Sequence, residues 1–265
     1  MNSSLSDSPS TPNKLTTQTK EAVLITGASS GIGLALALQY VEKGCHVFAC
    51  GRNEQKLNSI KGATPLVFDI NDKDQIRQAA LQLSTSLEQN DLSLTMVILN
   101  AGSCEYINNP VHFDGALFER VIQTNVVSMG YCLEHFLPLV GANGRVGLMS
   151  SSATYLPFPK AEAYGASKAA VNYLASSLRI DLKAYGIGVS VICPGFVKTP
   201  LTDKNDFAMP MQISADKAAS EIIYGMNKGQ SEIHFPKRFT YLLKCIACLP
   251  KAFVSRMLTP NADKA

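Results

Sequence analysis

Residues 22–33 read AVLITGASSGIG, and the fold is read outward from them. Positions 22–26 form a short apolar run of the kind a buried strand needs, and positions 32–41 form a longer apolar segment of helical character. Gly27, Ala28, Ser29, Ser30, Gly31, Ile32 and Gly33 join the two. Glycines at such a junction let the chain turn sharply and let its backbone come close to a ligand. The unpaired N–H groups at the helix start then face an anion, typically a pyrophosphate. The spacing is GxxxGxG, not the GxGxxG of the commonest dinucleotide fingerprint. A tight turn without a ligand would have the same composition, so the motif takes its meaning from its place after the first strand of a strand–helix–strand unit.

The rest of the chain keeps this rhythm. Gly44 closes the first helix, and further short apolar runs follow at 46–50, 65–68, 94–99, 145–149, 189–193 and 232–235. Between them lie segments with helical spacing at 76–87, 115–137 and 161–185, and a helix that Ser214 would cap and that runs through Met226. Seven apolar strands alternating with helices predict an α/β fold with one parallel sheet covered on both faces. No Pro/Gly-rich linker interrupts residues 21–236, which are expected to form one domain. Residues 1–20 are rich in Ser, Thr, Pro and Asn and read as a disordered tail, and residues 237–265 read as an apolar, basic extension.

Composition narrows the function classes. The 265 residues are 46% hydrophobic and 17% charged, with a net charge of +3. A chain of this size buries a core without help from disulfides or metals, and it is too apolar for global disorder. Its charge is too small to imply a nucleic-acid partner, and no Lys/Arg run interleaves with aromatics. Seven scattered cysteines and no signal-peptide core are expected of reduced thiols in a cytoplasmic protein. Cys245 and Cys248 are read as two small apolar side chains on a helix. The four histidines lack ligand spacing, so no metal site is expected.

Two further groups of residues carry chemistry. After the second strand come Gly51 and Arg52, where a dinucleotide fold would place an acid to bond the adenosine ribose. The acid is missing, and a guanidinium can clamp a phosphate through two N–H groups, so Arg52 points to NADP(H) over NAD(H). A solvated surface arginine is the plainer alternative. Asp69, at the end of the third strand, is placed to bond an adenine amino group or merely to cap the next turn. Tyr164 and Lys168 stand four apart in YGASK and share a helix face. A cation beside a phenol favours the phenolate, which makes proton exchange with an alcohol or ketone feasible. Ser151, thirteen positions before Tyr164, leaves the strand at 145–149 on the edge where open α/β sheets bind ligands.

Taken in order, TGASSGIG, Asn100-Ala101-Gly102, Asn125, Ser151, YGASK and Pro194-Gly195 resemble the short-chain dehydrogenase/reductase family over about residues 22–226. The resemblance implies a single Rossmann-like doubly wound domain with a seven-stranded parallel sheet. It also implies hydride transfer between NAD(P)(H) and a small-molecule carbonyl or alcohol. By position, Tyr164 resembles the catalytic acid/base, and Lys168 the residue that lowers its pKa and holds the nicotinamide ribose. Ser151 resembles the hydroxyl that polarises the substrate oxygen, and Asn125 the residue that holds a water behind Lys168. Asn100, Ala101 and Gly102, with Asp69 and Ile70, match the adenosine side of the cofactor site. Pro194, Gly195, Val197 and Thr199 match the loop that receives the carboxamide. The family also implies a homodimer or homotetramer. A protein that binds the dinucleotide without catalysis is the competing function, but it would be expected to lose Tyr164, Lys168 or Ser151.

The resemblance fades towards the C-terminus. Residues 201–213 (LTDKNDFAMPMQI) are expected to cover the site, with apolar side chains that suit an apolar or lipid-like substrate. Residues 239–249 (FTYLLKCIACL) are mostly apolar with basic flanks, and Pro250 breaks the segment. It is too short to span a bilayer. Either it folds over the substrate cleft or a subunit interface, or it makes peripheral contact with a membrane.

Overall fold

The computed structural model describes residues 20–204 and 207–259. The elements run β1 (Lys20–Thr26), α1 (Gly31–Glu42), β2 (His46–Gly51), α2 (Glu54–Asn58), β3 (Ala63–Val67), α3 (Lys73–Gln89) and β4 (Leu92–Leu99). They continue with α4 (Gly115–Ile122), α5 (Ser128–Phe136), β5 (Arg145–Met149), α6 (Glu162–Asp181), β6 (Gly188–Pro194), β7 (Val197–Lys198) and β8 (Ile213–Ser214). The last elements are α7 (Ala215–Asn227), β9 (Glu232–Phe235), α8 (Lys237–Ala247) and α9 (Lys251–Leu258).

Seven strands pair in parallel in the order β3-β2-β1-β4-β5-β6-β9. The fold is the Rossmann-like doubly wound sheet that the sequence predicts. Period-2 alternation explains its two buried faces. Ala22, Leu24, Phe48, Val97 and Leu148 point to one side and pack against α3, α5 and α6 through Leu83, Phe136 and Val171. Val23, Ile25, Val47, Ile98 and Ile192 point to the other and pack against α1 and α7 through Leu36, Tyr40 and Ile222. Pro65 is tolerated because β3 is an edge strand, where a missing N–H breaks no inner ladder. Chain order reverses between β1 and β4, and a doubly wound sheet opens its crevice at the C-terminal ends of such a pair.

Several local expectations need revision. The segment at 115–137 is not one helix: residues Gln123–Val127 form a π-helical turn between α4 and α5. The third strand starts and ends earlier than expected and excludes Phe68. The short helix α2, capped by the Asn53 side chain on the Lys56 N–H, escapes sequence reading because it spans only five residues. The same holds for the two-residue pairing of β7 with β8. Ser214 caps α7 as expected, accepting the Lys217 N–H at 3.1 Å. Cys245 lies on α8 and Cys248 at its C-cap, both as free, exposed thiols. Residues 1–19, 205, 206 and 260–265 lie outside the described residues, and with them the predicted tail and part of the predicted covering loop.

Candidate active site

The glycine turn is held by the neighbouring strand end. The Thr26 hydroxyl accepts the backbone N–H groups of Asn100 and Ala101 at 3.0 and 3.1 Å. The Asn100 amide donates back to the Thr26 carbonyl at 2.9 Å. This close approach sets the residue types. Gly27 has φ +69°, and a Cβ there would stand 3.0 Å from Ala101 Cα. At Gly33 a Cβ would lie 2.2 Å from the Gly27 carbonyl oxygen, which no side chain tolerates. Gly33 is therefore buried beneath the turn and does not itself face a ligand. Ser30 sits at the N-cap of α1 without capping it, so the first N–H groups of that helix stay open to an anion.

Above the turn lies a cleft of about 590 Å³, lined by every predicted cofactor-binding residue except Gly33. Arg52 and Asp69 both border it and form an ion pair at 3.5 Å, with the Arg52 side chain largely exposed. The Asp69 carboxylate also accepts the Asn71 N–H at 2.9 Å, so the turn-capping alternative is realised as well. Sequence reading missed Phe68, Asn71, Ser103, Thr124, Met149 and Thr202 on the cleft wall. Of these, Thr202 pins the loop after β7: its hydroxyl donates to the Val197 carbonyl at 2.6 Å and accepts the Thr199 N–H at 3.0 Å.

Three of the four residues expected to do chemistry, Ser151, Tyr164 and Lys168, converge at one end of this cleft. Ser151 leaves β5 and caps the following 3-10 turn by accepting the Ala153 N–H. Lys168 is buried and donates from Nζ to the Met149 carbonyl at 3.0 Å, with Nζ 5.7 Å from the centre of the Tyr164 ring. Among the described residues, no carboxylate pairs with it. Burial lowers the Lys168 ammonium to about 8. Burial also pushes the Tyr164 phenol well above its ordinary value, offset only partly by a hydrogen bond with Ser151. Burial thus acts on the phenol and on the ammonium in opposite directions, favouring the uncharged form of each.

Asn125 does not line the cleft. It lies in the π turn, fully buried, and its amide is committed to the protein. Its Oδ1 accepts the Ser103 N–H at 2.8 Å, and its Nδ2 donates to the Ser103 carbonyl and to the Ser167 hydroxyl, both at 2.9 Å. Ser167 in turn donates to the Tyr164 carbonyl at 2.7 Å. The widened turn therefore ties the segment after β4 to the helix that carries Tyr164 and Lys168. Such turns recur at functional sites.

A second cavity of about 390 Å³ opens on the other side of Ser151 and Tyr164. Its walls are aromatic. Tyr106 and Phe207 meet edge to face at 5.7 Å, Phe207 and Phe196 at 6.2 Å, and Phe196 and Phe239 tilt together at 5.4 Å. Leu201 and Phe207 from the predicted covering loop are among its lining residues, as are Cys104 and Phe158. Phe239, from α8, also lines it, as the reading of residues 239–249 as a segment folded over the cleft anticipates.

Three observations show that these residues fit a dinucleotide. The first turn of α1 is open, the glycines leave no room for side chains, and the Ser103 hydroxyl at the cleft wall is buried with no partner among the described residues. An α/β chain with this cleft and this Ser–Tyr–Lys group is an NAD(P)-dependent oxidoreductase. The family model described as short chain dehydrogenase matches residues 21–209, and the chain belongs to that family. It is 33% identical to an uncharacterized oxidoreductase of Myxococcus xanthus over 86% of this chain and 92% of that one. It is 31% identical to an NADPH-dependent 1-acyldihydroxyacetone phosphate reductase of Schizosaccharomyces pombe, over 71% of this chain and 63% of the relative. Among solved structures, an actinorhodin polyketide ketoreductase with NADPH shares the fold at TM-score 0.71 and 22% identity, over 83% of this chain and 97% of that one.

Proposed function

We propose that the protein is an NADPH-dependent reductase of apolar, lipid-like carbonyl compounds. The observation that carries this reading is the meeting of two cavities at Ser151 and Tyr164, a glycine-cradled cleft on one side and an aromatic pocket on the other. When bound, the nicotinamide supplies the hydride that adds to the carbonyl carbon. The Ser151 hydroxyl holds the carbonyl oxygen, and Tyr164 gives that oxygen its phenolic proton, so the product is an alcohol. The raised phenol suits a proton donor. Lys168, within reach of the ring, stabilises the phenolate left behind and returns it to the phenol. Asn125 holds the Lys168 side of the site in register through its bonds to Ser103 and Ser167.

The preference for the phosphorylated cofactor rests on Arg52. It borders the cleft directly after β2, where the usual ribose-binding acid is missing, and its guanidinium stays largely exposed beside Asp69. The name of the Schizosaccharomyces pombe relative points the same way. The protein is further proposed to assemble as a homodimer or homotetramer through α4, α5 and α6, because Tyr173 and Ile180 on α6 are 80% and 76% exposed. The experiment is an assay of NADPH and NADH oxidation against a panel of aldehydes and ketones of graded size. Turnover with NADPH and the larger apolar members is expected. Tight NADPH binding without turnover of any member would favour a non-catalytic binding protein.

A further inference from the structure

The two C-terminal helices are fixed to the domain on one side and bare on the other. On the inner side Phe239, Leu243 and Val254 are buried against Leu156, Phe158 and Phe196. Lys244 Nζ pairs with the Glu232 carboxylate at 2.7 Å, and Glu232 accepts the Tyr155 hydroxyl at 2.6 Å. On the outer side Tyr241, Leu242, Leu249, Phe253 and Met257 are all between 41% and 57% exposed. Tyr241 and Leu242 stand on α8, Leu249 in the connection before Pro250, and Phe253 and Met257 one turn apart on α9, so exposed apolar side chains continue from one helix to the next.

Charge identifies what covers this face. Lys237, Arg238, Lys251 and Arg256 are exposed around it, and residues 236–259 contain no Asp or Glu. A second copy of the chain on a two-fold axis would bring these cations against themselves, because an isologous contact presents the same patch twice. An anionic surface meets them without that conflict. No described helix is long and apolar enough to cross a membrane, and α8 has only 11 residues, so the pair lies in the plane of an interface.

We propose that α8 and α9 dock the protein peripherally on an anionic lipid bilayer. The five apolar side chains enter the boundary between headgroups and acyl chains, and the four cations meet lipid phosphates. This does not depend on the catalytic reading. It does place Phe239, on the opposite side of α8, between the bilayer and the aromatic cavity.

The test uses the full chain with phosphatidylcholine vesicles, with and without phosphatidylglycerol, at low and high salt. Co-sedimentation is expected with the anionic vesicles at low salt, with release at high salt and little binding to the neutral ones. Each charge reversal among Lys237→Glu, Arg238→Glu, Lys251→Glu and Arg256→Glu should lower partitioning by about fivefold or more. These side chains are exposed, so wild-type melting temperature and NADPH affinity serve as folding controls. The sequence contains no Trp, so Phe253→Trp gives a single reporter whose emission should shift to the blue on anionic vesicles alone. Failure of the full chain to bind anionic vesicles at low salt overturns the proposal, as does equal binding to neutral vesicles. It is also overturned if Leu242→Ser with Phe253→Ser turns an oligomer into a monomer without lipid present, which would make this face a contact between copies.

Discussion

The Lys168 ammonium lies 5.7 Å from the centre of the Tyr164 ring, with Lys168 buried and Tyr164 half-buried between the two cavities. Desolvation disfavours the charged form of each, so it drives the two pKa values apart, the phenol up and the ammonium down. The pair is poised to pass a proton while neither residue has a carboxylate partner among those described. Removing the proton alone is the sharpest probe. Tyr164→Phe keeps the ring and should lower carbonyl turnover by about 10²–10⁴-fold with NADPH affinity unchanged. A variant that keeps near-normal turnover refutes the assignment of Tyr164 as the acid.

The Arg52–Asp69 ion pair is too exposed to matter much for stability, since such pairs contribute about 0–1 kcal/mol. Its value lies in the cleft. Arg52→Ala should weaken NADPH binding by about 1.5–3 kcal/mol, the range for a hydrogen bond to a charged group, and leave NADH binding nearly unchanged. Isothermal titration with both cofactors measures this. A wild-type protein that prefers NADH would show that Arg52 serves only Asp69.

Phe239 closes the aromatic wall from α8. Phe239→Ala should lower kcat/KM for large apolar carbonyls by about tenfold or more, within the range for truncating one apolar contact, while small ones change little. Equal losses for large and small substrates would mean that Phe239 only holds α8 in place.

His234 is buried beside the Thr240 hydroxyl, with its Nδ1 at 2.7 Å. Burial, with Lys237 and Lys244 near by, lowers the ring to about 4. The unfolded chain therefore binds a proton between about pH 6.5 and 4 that the folded chain refuses. Stability should fall as pH drops through this window, by up to about 1.4 kcal/mol per pH unit from this one group. His234→Gln should flatten that acid slope in urea titrations at a series of pH values. An unchanged slope would place the acid sensitivity elsewhere.

How much of this was legible in the sequence follows from the range of the interactions. The β1–α1 turn was readable from its glycine spacing, since the nearest contact that excludes a side chain at Gly33 is with Gly27 in the same turn, although Gly27 itself answers to Ala101 far along the chain. The Tyr164–Lys168 pairing was readable because one helix turn sets it. The π turn at Gln123–Val127 was not, since an apolar pattern at helical spacing does not register one extra residue in a turn. Neither was the partnership of Arg52 with Asp69, which joins the ends of two strands. The upward shift that burial gives the Tyr164 phenol was not readable either, because a spacing of four residues does not contain it. The segment at 239–249 could be read only as far as a choice between covering the cleft and meeting another surface, because α8 lies beyond the matched family region; Phe239 on the cavity wall answers to the first.

The clearance at Gly33 has a meaning in the gene. Every base change in the first two positions of a glycine codon encodes a residue with a Cβ or a stop, and at this position the Cβ would fall 2.2 Å from the Gly27 oxygen. Codon 33 is thus free to drift only in its third base. In a saturation library selected for folded protein, position 33 should retain silent variants alone, while Gly115 and Gly130, with nothing within 4 Å of an added Cβ, should accept replacements.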